Sequence, residues 1–162
     1  MAITPLPARV WRPDDLSRYD GPLLLDTHVW IWHVEGDDTR TAHGTRALLD
    51  RCGERSRLLV SDISYWEVAV KAAKNKIVFS IDTLVWLQRA ERAPGIRFLQ
   101  LDRSILLQST RLPGAVDNDP ADRILLASAQ INNVPLVTAD RLIVEYAEAH
   151  PGTPVVDARP DA

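Results

Sequence analysis

The sequence predicts an α/β fold, with a mainly parallel central sheet covered by helices. Two observations predict it. Short apolar runs alternate with amphipathic segments along the chain, and the first run, Leu23-Leu24-Leu25, is continuous rather than alternating. Alternation at this spacing implies right-handed crossovers between parallel strands. A continuous apolar run fits a strand buried on both faces of such a sheet.

The elements follow in order. Residues 1–21 carry Pro5, Pro7, Pro13, Arg9, Arg12 and Arg18 without a clear period, and read as an extended arm before the core. Gly21-Pro22 punctuates the chain, and residues 23–25 form the first strand. Residues 29–34 and 40–52 read as helices, the second with Ala47, Leu48 and Cys52 on one face. Residues 57–60 form a strand. Ser61-Asp62 then opens a helix with Ile63, Trp66, Val70 and Ala73 on one apolar face. Its end carries Lys71, Lys74 and Lys76, where cations favour the helix dipole. A helix over 82–92 stops at Pro94-Gly95, a strand covers 96–101, and a helix covers 104–112. Asp119-Pro120 starts a helix that runs to about 132; a strand over 135–138, a helix over 141–149 and a strand over 154–156 complete the chain.

A length of 162 residues suits one domain, and 46% hydrophobic with 25% charged residues excludes wholesale disorder. The single cysteine, Cys52, excludes an intrachain disulfide and a Cys-based zinc site. The formal charge of −3 argues against gripping nucleic acid by net basicity alone. The apolar runs are too short to span a membrane, and the proline-broken N-terminus lacks the core of a signal peptide. A reducing, cytoplasmic setting is therefore expected.

Ligands of parallel α/β sheets bind at the carboxyl ends of the strands. Four acids fall there: Asp26 and Asp140 after strands, Glu67 and Asp122 in the first turns of helices. Each has a purely structural explanation as well. Asp26, Asp119 and Asp140 are good N-caps, Asp122 complements a helix dipole, and Ser64 with Glu67 has capping-box spacing. The joint pattern points further. Carboxylates clustered on one rim repel, and raise one another's pKa unless a cation neutralises them. An oxygen-only cluster suits hard divalent ions such as Mg²⁺ or Mn²⁺, which promote phosphodiester hydrolysis.

The segments LLLDTHVWIW, SDISYWEVAVKAAKNKI and DPADRILLASAQINNVPLVTADRLIVEY resemble the PIN domain family and, more narrowly, VapC-type toxins of toxin–antitoxin systems. The resemblance covers residues 22–157, leaving 1–21 as the arm and 158–162 as a tail. It implies a three-layer sandwich and an Mg²⁺- or Mn²⁺-dependent endoribonuclease using one or two ions and a metal-activated water. It implies Asp26, Glu67, Asp122 and Asp140 as the catalytic, metal-holding acids. It implies Asp119 as an outer-shell or alternative ligand and Thr138 as a hydroxyl near the site; Arg123 and Thr27 are further candidates for outer-shell or substrate-binding places. A cognate antitoxin and a homodimer are the implied protein partners, RNA the substrate, and no membrane is involved. His28 stands where many members carry Ser or Asn.

Two other readings stay open: a non-catalytic PIN-like interaction module, and a phosphatase of the aspartyl-phosphate type. The latter wants a second Asp two residues after the first, where His28 sits. No G-x-S-x-G context supports acyl transfer. His33, His43 and His150 show no mutual ligand spacing. Trp66 is expected in the core, whereas Trp30 or Trp32 is open to an interface role. Arg123 is expected to bind a phosphate or pair with Asp119.

Overall fold

The computed structural model describes residues 10–114 and 119–161. Six parallel strands form one sheet in the order β1-β6-β5-β2-β3-β4. They are β1 (Val10–Trp11), β2 (Leu23–Leu25), β3 (Leu58–Ser61), β4 (Ile96–Leu99), β5 (Leu136–Thr138) and β6 (Val155–Asp157). The helices between them are α1 (Thr27–Glu35), α2 (Thr45–Gly53), α3 (Asp62–Ala73), α4 (Thr83–Glu91), α5 (Arg103–Ser109), α6 (Pro120–Asn132) and α7 (Arg141–Ala149). The predicted alternation is realised, with element ends shifted by a few residues.

Strand β2 explains the layering. Its three leucines are fully buried. Leu23 and Leu25 join one core with Leu58 from β3 and Trp30, Leu48, Val68 and Trp86 from α1 to α4. Leu24 points the other way, into a second core with Leu136 from β5 and Leu125, Leu126, Ile143 and Val144 from α6 and α7. Period-two alternation within a continuous apolar run thus makes a three-layer sandwich. Each buried leucine contributes roughly 1.5–3 kcal/mol of transfer free energy.

The order also locates the functional edge. From β2 the chain moves one way to β3 and β4, whereas β5 and β6 lie on its other side. The boundary between β2 and β5 is a topological switch point, where helices leave a crevice at the strand carboxyl ends.

The segment before Gly21 departs from the expected extended arm. Its residues 1–9 lie outside the described residues. From residue 10 onward it is built into the domain: β1 pairs with β6 through Val10↔Val155 and Trp11↔Val156, and a 3-10 turn (Pro13–Leu16) follows. Trp11 and Leu16 are buried in the first core. Three prolines and no periodicity hid a two-residue edge strand, too short to show alternation. The tail is tied down as well: Asp161 pairs with Arg12 and accepts from the His43 backbone N–H.

Trp66 is a second correction. It is 57% exposed, because α3 buries Ile63, Ser64, Glu67 and Val68. That set defines a different stripe of the helix from the expected one. The α3 N-cap is Ser61, whose Oγ accepts from the Ile63 N–H at 3.2 Å. Ser64 and Glu67 therefore form no capping box. Trp30 is fully buried, edge-on to Trp86 and Phe98, and is unavailable as an interface residue. Trp32 stays partly exposed, between His28 and Arg40.

Candidate active site

Asp26 leaves β2 and caps α1. Its Oδ1 accepts from the Thr27 N–H and its Oδ2 from the Thr138 hydroxyl, both at 2.7 Å. It is only 6% exposed. Burial pushes its carboxyl above the usual aspartate range; the Thr138 hydroxyl, His28 and the Thr27 N–H oppose this, and Glu67 adds to it. Capping and a place at the switch point coexist in the same side chain.

Thr138 ends β5, the neighbour of β2, and reaches Asp26 across the strand boundary. Its Oγ1 also accepts the Asp140 N–H at 3.0 Å. Asp140 caps α7 by accepting from the Leu142 N–H at 2.8 Å. Asp119 caps α6, accepting from the N–H groups of Ala121 and Asp122 at 2.8 and 3.4 Å. Asp122 is the third residue of α6 and is buried. Glu67, in the second turn of α3, is buried too, with Lys71 Nζ at 3.4 Å from Oε2.

These acids share one electrostatic neighbourhood. The Asp122 carboxyl is pushed from 3.8 up to about 8, first by burial and then by the charges of Asp26, Asp119, Asp140 and Glu67. Among the described residues, Lys71 is the only cation within ion-pair distance of the five carboxylates. The edge is thus strongly acidic, under-neutralised and oxygen-only. That donor set fits a hard divalent ion, because carboxylate oxygens are its preferred ligands and its charge would relieve the repulsion. Among the described residues no group of three or more His, Cys, Asp or Glu side chains already stands close enough to hold an ion.

Other expected residues fall differently. Arg123 makes no ion pair with Asp119; its Nε donates to the Ser109 carbonyl at 3.0 Å, at the end of α5. Thr27 turns its hydroxyl away from Asp26 and donates it to Ser64 Oγ at 2.8 Å. Two residues beside the cluster were missed by sequence reasoning. The spacing of Ser64 in the sequence suggests only a cap, yet it lies one turn before Glu67 on the same face of α3. Lys71 sits at the dipole-favoured end of its helix, and its i,i+4 spacing from Glu67 is the signal in the sequence for their ion pair.

The chain resembles known proteins over most of its length. Residues 23–149 match the PIN domain. Ribonuclease VapC22 of Mycobacterium tuberculosis is 30% identical over 131 residues, which span 81% of this chain and 96% of that protein. In fold, the chain resembles DNA-bound VapBC from Salmonella typhimurium, with a TM-score of 0.58 at 14% identity over 85% of this chain and 97% of that one. It likewise resembles a toxin–antitoxin complex from Klebsiella pneumoniae, with a TM-score of 0.55 at 24% identity over 83% and 95%. With residues 23–149 matching the PIN domain and a VapC ribonuclease 30% identical over most of both chains, the chain belongs to the PIN domain family.

Proposed function

We propose that the protein is an Mg²⁺- or Mn²⁺-dependent endoribonuclease, the toxin of a toxin–antitoxin pair. The observation that carries this is the buried, under-neutralised carboxylate neighbourhood at the β2–β5 boundary, with Asp122 pushed up to about 8. The ribonuclease relative and the toxin–antitoxin structures that share the fold support it.

Asp26, Glu67, Asp122 and Asp140 would hold one or two ions. When bound, the metal supplies Lewis-acid activation of water and neutralises charge developing on the phosphate. The remaining work falls to the chain. Thr138 donates to Oδ2 of Asp26 and Thr27 to its Oδ1, so the carboxylate is held in one orientation. Asp119 holds the first turn of α6, fixing the backbone that bears Asp122. In-line attack of water on phosphorus breaks the P–O3′ bond and leaves a 5′-phosphate and a 3′-hydroxyl. No side chain acts as covalent nucleophile.

The protein partners of the proposal are a cognate antitoxin and a second copy of the chain. Surface character supports protein partners: Trp66, Leu84, Val85, Leu106 and Leu107 are exposed. A groove of about 760 Å³ carries Val34, Ile81 and Val85 beside Arg89 and Arg92. A basic antitoxin residue entering the acidic edge would neutralise it and displace metal. A purified complex that cleaves RNA without dissociating would count against that inhibition.

The test of the whole reading is cleavage of structured RNAs by the purified chain in Mg²⁺, Mn²⁺ or EDTA, beside Asp26→Asn. Cleavage should require the ion and be lost in the variant. Cleavage that ignores EDTA and survives the substitution would refute the reading.

A further inference from the structure

Thr27 and Ser64 form a pair that the proposed chemistry does not itself use. Both are fully buried, and the Thr27 hydroxyl donates to Ser64 Oγ at 2.8 Å, from the first turn of α1 to the first turn of α3. A bond between two buried neutral hydroxyls adds little net stability over an apolar pair of the same shape. What it adds is direction, since a hydrogen bond fixes separation and angle where apolar packing tolerates sliding.

Its neighbours give that direction a use. Thr27 also donates its backbone N–H to Asp26 Oδ1. Ser64 precedes Glu67 by one turn, so the two share a face of α3. The chain of bonds continues from Asp26 Oδ2 to the Thr138 hydroxyl, and from Thr138 Oγ1 to the Asp140 N–H. One hydrogen-bonded path thus runs from Ser64 to Asp140 and crosses the elements that carry Glu67, Asp26 and Asp140.

We propose that the Thr27–Ser64 bond is a positioning device that sets the separation of Asp26 and Glu67, so that the two carboxylates receive a divalent cation without rearranging their helices. The proposal rests on the metal-dependent reading above. Ser64 acts through Thr27 and through its own helix; it touches neither the reacting atoms nor the ion. Metal-site partners beyond the ligands commonly change metal affinity by about 10–100-fold when removed.

The test is calorimetric titration of Mn²⁺ alone into the full, EDTA-treated chain, for wild type, Thr27→Val, Ser64→Ala, the double variant and Thr27→Ser. Each single loss should weaken Mn²⁺ binding about 10-fold, at the low end of that range because Ser64 is one step removed. The double variant should be no worse than the weaker single one, since one bond is broken in all three. Thr27→Ser, which keeps the hydroxyl, should bind as wild type does. Far-ultraviolet circular dichroism should be unchanged throughout. Should Thr27→Val fail to fold, Ser64→Ala and Ser64→Cys carry the same comparison. Unaltered Mn²⁺ affinity in folded variants, or losses that add in the double variant, would overturn the positioning role while leaving the nuclease reading intact. A wild-type chain that neither binds Mn²⁺ nor cleaves RNA would overturn both.

Discussion

Asp122→Asn separates stability from function at a single atom. In the metal-free chain the Asp122 carboxyl is pushed from 3.8 up to about 8, by burial first and by four neighbouring carboxylates after it. Unfolded, it titrates at the ordinary value; folded, it keeps its proton far longer. The folded chain therefore binds the extra proton between about pH 4 and pH 8, and stability that is full below pH 4 is lost as pH rises through 8. At about 1.36 kcal/mol per pH unit, the gap sets a ceiling of roughly 5–6 kcal/mol. Electrostatic screening inside real proteins reduces this to about 2–3 kcal/mol. Asparagine has nearly the same shape and no charge to bury. In EDTA, the variant should match wild type at pH 5 to within about 1 kcal/mol and exceed it by about 2–3 kcal/mol at pH 9. Urea denaturation followed by tryptophan fluorescence measures both. Saturating Mg²⁺ at pH 9 should then reverse the ranking, because only the intact cluster gains binding energy. A variant no more stable than wild type at pH 9 would contradict this.

Further outcomes are expected. Thr138→Val removes a hydrogen bond that lowers the Asp26 pKa; the acid limb of the pH–cleavage profile should move to higher pH, and a limb that stays put or moves down would contradict this. Lys71→Met removes the cation 3.4 Å from Glu67; Mn²⁺ should bind about fivefold more tightly, as expected for relief of roughly 1 kcal/mol of charge repulsion, and calorimetry showing weaker binding would reverse the assigned role. Trp11→Ala should cost about 3–5 kcal/mol in urea unfolding, because Trp11 is buried in the first core; a loss below about 1 kcal/mol would mean that the segment before Gly21 is an arm after all.

Much of the fold was legible because its signals are local. Three consecutive leucines identify a strand buried on both faces, and Asp119-Pro120 identifies a helix start whose cap the structure reproduces. The four acids were legible as a group because a parallel sheet sends strand ends and helix starts to one edge. What escaped required partners distant in sequence. β1 is two residues long and is defined only by its pairing with β6. Trp66 carries the same helical period whether it lies on the buried stripe or beside it, and only the packing of α3 chooses between them. The role of Thr27 became visible only when α3 brought Ser64 to its hydroxyl. Arg123 is drawn to the carbonyl end of α5, a partner that nothing near it in sequence marks.

The proposed chemistry has the acidic edge at the β2–β5 boundary direct water onto an RNA phosphate with a divalent ion. End-group analysis of the RNA fragments, after reaction in Mg²⁺ and in EDTA, reads that chemistry from its products. We expect 5′-phosphate and 3′-hydroxyl ends in Mg²⁺, with no fragments in EDTA or with Asp26→Asn. Fragments ending in a 2′,3′-cyclic phosphate, formed equally well in EDTA, would contradict it.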